Sequence, residues 1–128
     1  ANDLLHRFYT TDYPRPRIAA LSKLVDEAAQ AGDPAALEII EQAAGELAHL
    51  SAAVRQQLFA PGEPSRVAYI GGVFRSAMLR ECYIALVDAE AGNRCGPPEH
   101  GPAAGALIEA YRALGLTPPL TNVPEFEK

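Results

Sequence analysis

Apolar residues recur at three- and four-residue spacing along most of this chain, which is the signature of packed helices. The first cluster, Leu4, Leu5, Phe8 and Tyr9, predicts a short helix or an extended lead-in. Residues 12–17, DYPRPR, read as a solvated breaker, because proline disfavours helix in the residue before it. A helix is expected from about Pro16 to Ala31, with the stripe Ile18, Leu21, Val25 and Ala28 and with Ala29 beside it. Gly32 then reads as a C-cap, Asp33 as an N-cap and Pro34 as the opening of the next helix. That second helix is expected to run to about Phe59, burying Leu37, Ile40, Ala44, Leu47, Val54 and Leu58. Its alanines, Ala43, Ala44, Ala48, Ala52 and Ala53, permit close approach of a neighbour, and Gly45 reads as a packing contact.

The pattern changes at residues 66–81, RVAYIGGVFRSAMLRE. Val67 to Ile70 is a short β-forming run, Gly71-Gly72 a turn, and a helical pattern follows to about Ala91. The expected inner face of that helix is Val73, Ala77, Leu79, Ile84 and Leu86. Two readings of the glycine pair stay open. One is a plain strand-to-helix turn. The other is a ligand site, since a helix start carries unpartnered N–H groups and glycine lets a ligand approach the backbone. Asn93 to Cys95 reads as a second short strand and residues 96–102 as a loop. Pro102 opens a last helix to Leu114, with Leu107, Ile108, Tyr111 and Leu114 inward and Gly115 as its cap. Small residues at 103–106 let its start press against a ligand or another helix. Residues 117–128 read as an aperiodic tail.

The fold class is therefore α/β, mostly helical, with one or two short strands, in a single domain over residues 1–128. So few strands cannot serve four helices, and isolated strand pairs are marginal. The chain looks like part of a sheet whose other strands lie upstream in a longer protein or in a partner.

Composition narrows the function. The 128 residues are 48% apolar and 21% charged, with a net charge of -5. That acidic balance argues against a nucleic-acid or acidic-membrane binder, which needs a basic face. No apolar run approaches the ~20 residues of a membrane span. No basic-then-apolar leader pattern opens the chain, and the expected location is cytoplasmic. Cys82 and Cys95 are too few for a disulfide framework, a zinc site or a cluster within one chain, and both read as reduced thiols. His49, a lone helical histidine, reads as a surface or packed residue rather than a ligand, and His100 lacks catalytic partners in the sequence and reads as a surface residue.

Three blocks carry a resemblance. They are Arg17-Ile18-Ala19 followed by residues 28–34, AAQAGDP; residues 70–76, IGGVFRS; and residues 101–106, GPAAGA. In this order they resemble the C-terminal half of N-acetylglucosamine kinase and its relatives, over roughly residues 4–116. Those proteins sit in the BadF/BadG/BcrA/BcrD ATPase family of the actin/hexokinase/Hsp70 superfamily. The resemblance implies a partial ribonuclease H-like, actin-like ATPase lobe. It implies that Gly71 and Gly72 lie against the adenosine of ATP or ADP, with Val73, Arg75 and Ser76 beside it and Ala19 lining the adenine pocket. It implies Mg2+ and an amino sugar in the full-length protein, with no metal ligand in this chain.

The family's Asp/Gly/Gly/Thr phosphate loop, its second phosphate motif, its general-base aspartate and its sugar contacts have no counterpart here; Asp3, Asp12 and Asp26 lack a glycine-rich context. The expectation is the C-terminal portion of a longer kinase-like protein, not a competent enzyme alone, with self-association or homodimerisation through its exposed faces. Two alternatives remain: an ATPase activator of a radical dehydratase or reductase, and a non-catalytic helical dimerisation module. Cys82 and Cys95 do not stand where an activator's cluster ligands are expected, and an interaction module has no need of Gly71-Gly72.

Overall fold

A computed structural model describes residues 15–117. The elements in order are helix α1 (Arg15–Gln30), helix α2 (Pro34–Leu58), strand β1 (Ser65–Ala68), a single 3-10 turn (Gly72–Arg75), helix α3 (Ala77–Asp88), strand β2 (Asn93–Gly96) and helix α4 (Pro102–Ala113). The expected lead-in helix over residues 1–13 and the tail beyond Thr117 lie outside the described residues. Arg15, Pro16 and Arg17 belong to α1 and not to a loop. Pro16 is tolerated there because the first-turn N–H groups have no helical partner.

The α1–α2 junction matches its sequence signals. Gly32 has φ +86, and the Asp33 carboxylate accepts the Ala36 N–H at 2.9 Å. Both α1 and α3 lean on α2, and α3 makes the larger contact. The core is small: Ala29 from α1, Ala36, Ile40 and Ala44 from α2, and Leu79, Tyr83 and Val87 from α3. Alanine at three of the central positions allows the helix axes to come close.

The strands pair in parallel, Ser65 with Asn93 through Ala68 with Gly96, across the connecting helix α3. Ser65 N–H donates to the Gly92 carbonyl at 2.8 Å and Tyr69 N–H to the Gly96 carbonyl at 3.2 Å. Alternate residues of a strand address opposite neighbours. Arg66 and Ala68 therefore present their backbone groups to the other side, where the described residues place no strand. The outer edge of β2 is closed differently. Asp88 Oδ1 accepts the Cys95 N–H at 2.7 Å, and the Glu90 carbonyl accepts that of Asn93 at 3.2 Å.

Several expected faces are corrected. Val73 to Ser76 is not α-helix: the chain makes one 3-10 turn, and α3 starts at Ala77 because the Ser76 hydroxyl captures the Leu79 N–H. The buried face of α3 is Leu79, Tyr83 and Val87, while Val73, Ala77 and Leu86 are exposed. The helix ends at Asp88, three residues before the expected Ala91. In α2 the buried positions are Ala36, Ile40, Ala44 and Arg55; Val54 and Leu58 are 57% and 69% exposed. They line an apolar groove of about 420 Å³ with Leu50, Phe59 and the open edge of β1. Helix α4 buries no residue, and its Leu107 and Leu114 are exposed rather than inward. Gly45 is not a packing contact among the described residues, since a Cβ there would meet nothing within 4 Å.

Candidate functional site

Because β1 and β2 are parallel, their carboxyl ends lie on one edge of the sheet. The Gly71–Ser76 turn and the loop to Gly101 both leave from that edge. In open α/β sheets this is where ligands bind. The candidate site is built on the first of these connections.

The turn is held from below and presented outward. Phe74 is its only side chain directed into the core. Its ring packs between Tyr69 (5.3 Å between centroids) and Tyr83 (5.1 Å). Tilted aromatic pairs at this spacing add to the burial itself. Arg80 Nη1 donates to the Phe74 carbonyl at 3.0 Å, fixing the backbone as well. With Phe74 anchored, Gly71, Gly72, Val73 and Arg75 all stand exposed.

The two glycines differ in what they need. Gly71 has φ +124, a conformation that side chains rarely adopt, so the turn itself requires glycine there. Gly72 opens the 3-10 turn without a positive φ, and a Cβ added to it would meet nothing within 4 Å. Neither backbone geometry nor packing within the described residues accounts for glycine at 72.

Ser76 closes the turn, half-buried. Its Oγ accepts the Leu79 N–H at 3.3 Å and donates to Asp26 Oδ1 of α1. Its proton is thus committed within the chain. Gln30 Nε2 donates to the other Asp26 oxygen at 2.9 Å. Ala19 is exposed on α1, its carbonyl accepting the Ser22 hydroxyl at 2.7 Å. Ala19 and Asp26 are seven residues apart, two helical turns, so they share one face of α1 about 10 Å apart along its axis. The structure thus ties Ser76 directly to the face of α1 that carries Ala19. Asp26 was not among the site residues expected from the sequence, and only the fold reveals its partner fifty positions away.

A second polar cluster sits at the opposite end of the strands. Arg55, 4% exposed, donates from Nε to Asn93 Oδ1 at 2.6 Å, from Nη2 to the Glu63 and Ala91 carbonyls at 2.7 and 3.1 Å, and from Nη1 to the Ala60 carbonyl at 3.3 Å. Asn93 in turn donates to the Val87 carbonyl at 3.0 Å and accepts the Ser65 hydroxyl at 2.6 Å. Every group in the cluster is satisfied inside the protein, so it clasps the ends of α2, α3 and both strands and offers nothing to a ligand.

The two cysteines are free and half-buried. Burial, with the Asp88 carboxylate beside it, pushes the Cys95 thiol above its ordinary range. Among the described residues no three His, Cys, Asp or Glu side chains gather as a metal site. No helix among them is long and apolar enough to cross a membrane.

Residues 6–110, most of the chain, match the BadF/BadG/BcrA/BcrD ATPase family. The chain belongs to that family. Membership supports a nucleotide-binding, ATPase-type role and an actin-like ATPase fold, of which this parallel strand pair and its helices are a part. The matched span takes in Ala19, the whole Gly71–Ser76 turn and Gly101 to Ala106. Among curated proteins none matches this family member's sequence.

Proposed function

We propose that this chain is the adenosine-side part of an ATP-dependent sugar kinase that phosphorylates N-acetylglucosamine or a related amino sugar in the full-length protein. The observation that carries the nucleotide reading is Gly72. It is exposed at the carboxyl edge of a parallel sheet, and nothing within the described residues needs it to lack a side chain. A flat base or ribose lying on this backbone supplies the missing reason.

In this reading the Gly71-Gly72 backbone lies against the nucleoside, and Val73 gives it an exposed apolar contact. Arg75 stands beside it as a cation, and Ser76 holds the turn to α1. Ala19 borders the same cleft from α1 with a side chain too small to fill it. The chemistry itself needs bound phosphates and a positioned nucleophile. Those belong to the remainder of the longer protein, with Mg2+ and the sugar, and this part contributes affinity and orientation for the nucleotide. The open edge of β1 and its apolar groove suit a sheet that continues in that remainder.

The same groove favours one rival reading, a non-catalytic module that dimerises through it. Amide NMR with ADP separates the two. The nucleotide reading expects shifts clustered on Gly71 to Ser76 and around Ala19, lost in Gly72→Leu while the spectrum stays folded. An unchanged spectrum at millimolar ADP, in this chain and in the full-length protein, sinks the nucleotide reading.

A further inference from the structure

Building on the nucleotide reading, we infer that Asp26 is a positioning residue of the cleft. Helices α1 and α3 both rest on α2 and touch each other only thinly. Among residues 19–117, the hydrogen bond from Ser76 Oγ to Asp26 Oδ1 is the one side-chain hydrogen bond between α1 and the strand–turn–helix unit that carries the glycines. Both ends of the tie are themselves fixed. Gln30 steadies the carboxylate one turn on, and the Ser76 hydroxyl is also the N-cap of α3. A bond from a hydroxyl to an ionised acceptor is among the stronger and more directional ones. Ala19 shares the Asp26 face, and the turn begins five residues before Ser76. The bond therefore sets how far the adenine-facing side of α1 stands from the Gly71-Gly72 backbone. Asp26 acts through Ser76 and touches no ligand.

The test uses the 128-residue chain and ADP as the probe. Asp26→Ala is expected to weaken ADP binding about tenfold, the scale of one lost charge-assisted hydrogen bond. The loss is read at a temperature where the variant is fully folded. Asp26→Asn keeps an acceptor for the Ser76 hydroxyl and is expected to restore most of the affinity. Ser76→Gly removes the same bond from the other side with little loss of capping. Its effect should not add to that of Asp26→Ala. Without ligand, Asp26→Ala should already move the Gly71 and Gly72 amide resonances. A purely structural role would lower the melting temperature and leave the affinity of the folded protein unchanged; that result overturns the inference and leaves the nucleotide reading standing. Additive losses in the double variant overturn it too. If the unaltered chain and the full-length protein both ignore ADP, the nucleotide reading falls and the inference falls with it.

Discussion

Arg55→Met removes the guanidinium at the far end of the sheet while keeping an unbranched apolar stem. Arg55 is buried in the last turn of α2, where its charge also suits the helix C-terminus. Its two shortest hydrogen bonds, to Asn93 Oδ1 at 2.6 Å and the Glu63 carbonyl at 2.7 Å, are charge-assisted. At about 1.5–3 kcal/mol each they set a scale of about 3–6 kcal/mol. The bond to the Ala60 carbonyl is long, 3.3 Å, so its loss is discounted. The ion pair with Glu90 is long, 3.8 Å, and that carboxylate is 38% exposed, so it contributes little. Breaking a buried charged cluster by removing one member costs about 3–5 kcal/mol.

The expected loss is therefore about 3–4 kcal/mol, a large part of the roughly 5–15 kcal/mol available to a domain. Urea unfolding followed by far-UV circular dichroism reads it directly. Asn93→Ala, made alone and with Arg55→Met, completes a cycle whose losses should fall well short of additive. Arg55→Lys should not rescue, because one ammonium cannot reach acceptors arranged around a planar fork. A loss below about 1 kcal/mol for Arg55→Met, or full additivity with Asn93→Ala, refutes the view that this cluster clasps the fold.

Three further outcomes are expected. Gly92→Ala should be severely destabilising, since Gly92 has φ +92 and a Cβ there would stand 2.4 Å from the Glu63 carbonyl oxygen, whereas Gly45→Ala in α2 should stabilise by up to ~1 kcal/mol; thermal melts of both variants check this. Asp33→Ala should cost about 1 kcal/mol through loss of the Ala36 cap, read as a lower urea midpoint at unchanged slope. The Cys95 thiol is raised by burial and by Asp88, so the unfolded chain ionises it first. Its contribution is intact below the ordinary thiol range and declines as pH rises through the folded value. Iodoacetamide should accordingly alkylate Cys95 more slowly in the folded protein than in urea at the same pH, and equal rates would count against the shift.

The sequence by itself determined the local events. Gly32, Asp33 and Pro34 mark the α1–α2 corner through capping chemistry that acts within four residues. Val67-Ala68 and Gly71-Gly72 announce a strand and a turn, although the strand runs Ser65–Ala68, two residues earlier than the expected Val67 to Ile70, and the three blocks place the chain in its family. What it did not determine is which apolar residues find a partner. Val54, Leu58, Leu107 and Leu114 have helical periodicity, yet they are exposed, because periodicity reports a face and only tertiary packing supplies its cover. The start of α3 at Ala77 is a local event, the Ser76 hydroxyl capping the Leu79 N–H; only the bond from that hydroxyl across to Asp26 needed the fold. The Arg55 cluster was invisible in the sequence for the same reason. Its acceptors come from residues 60, 63, 91 and 93, and an arginine in a helix reads as a solvated residue until the fold folds those carbonyls around it. Short-range backbone chemistry is written in neighbouring residues; burial and long-range hydrogen bonding exist only once distant segments meet.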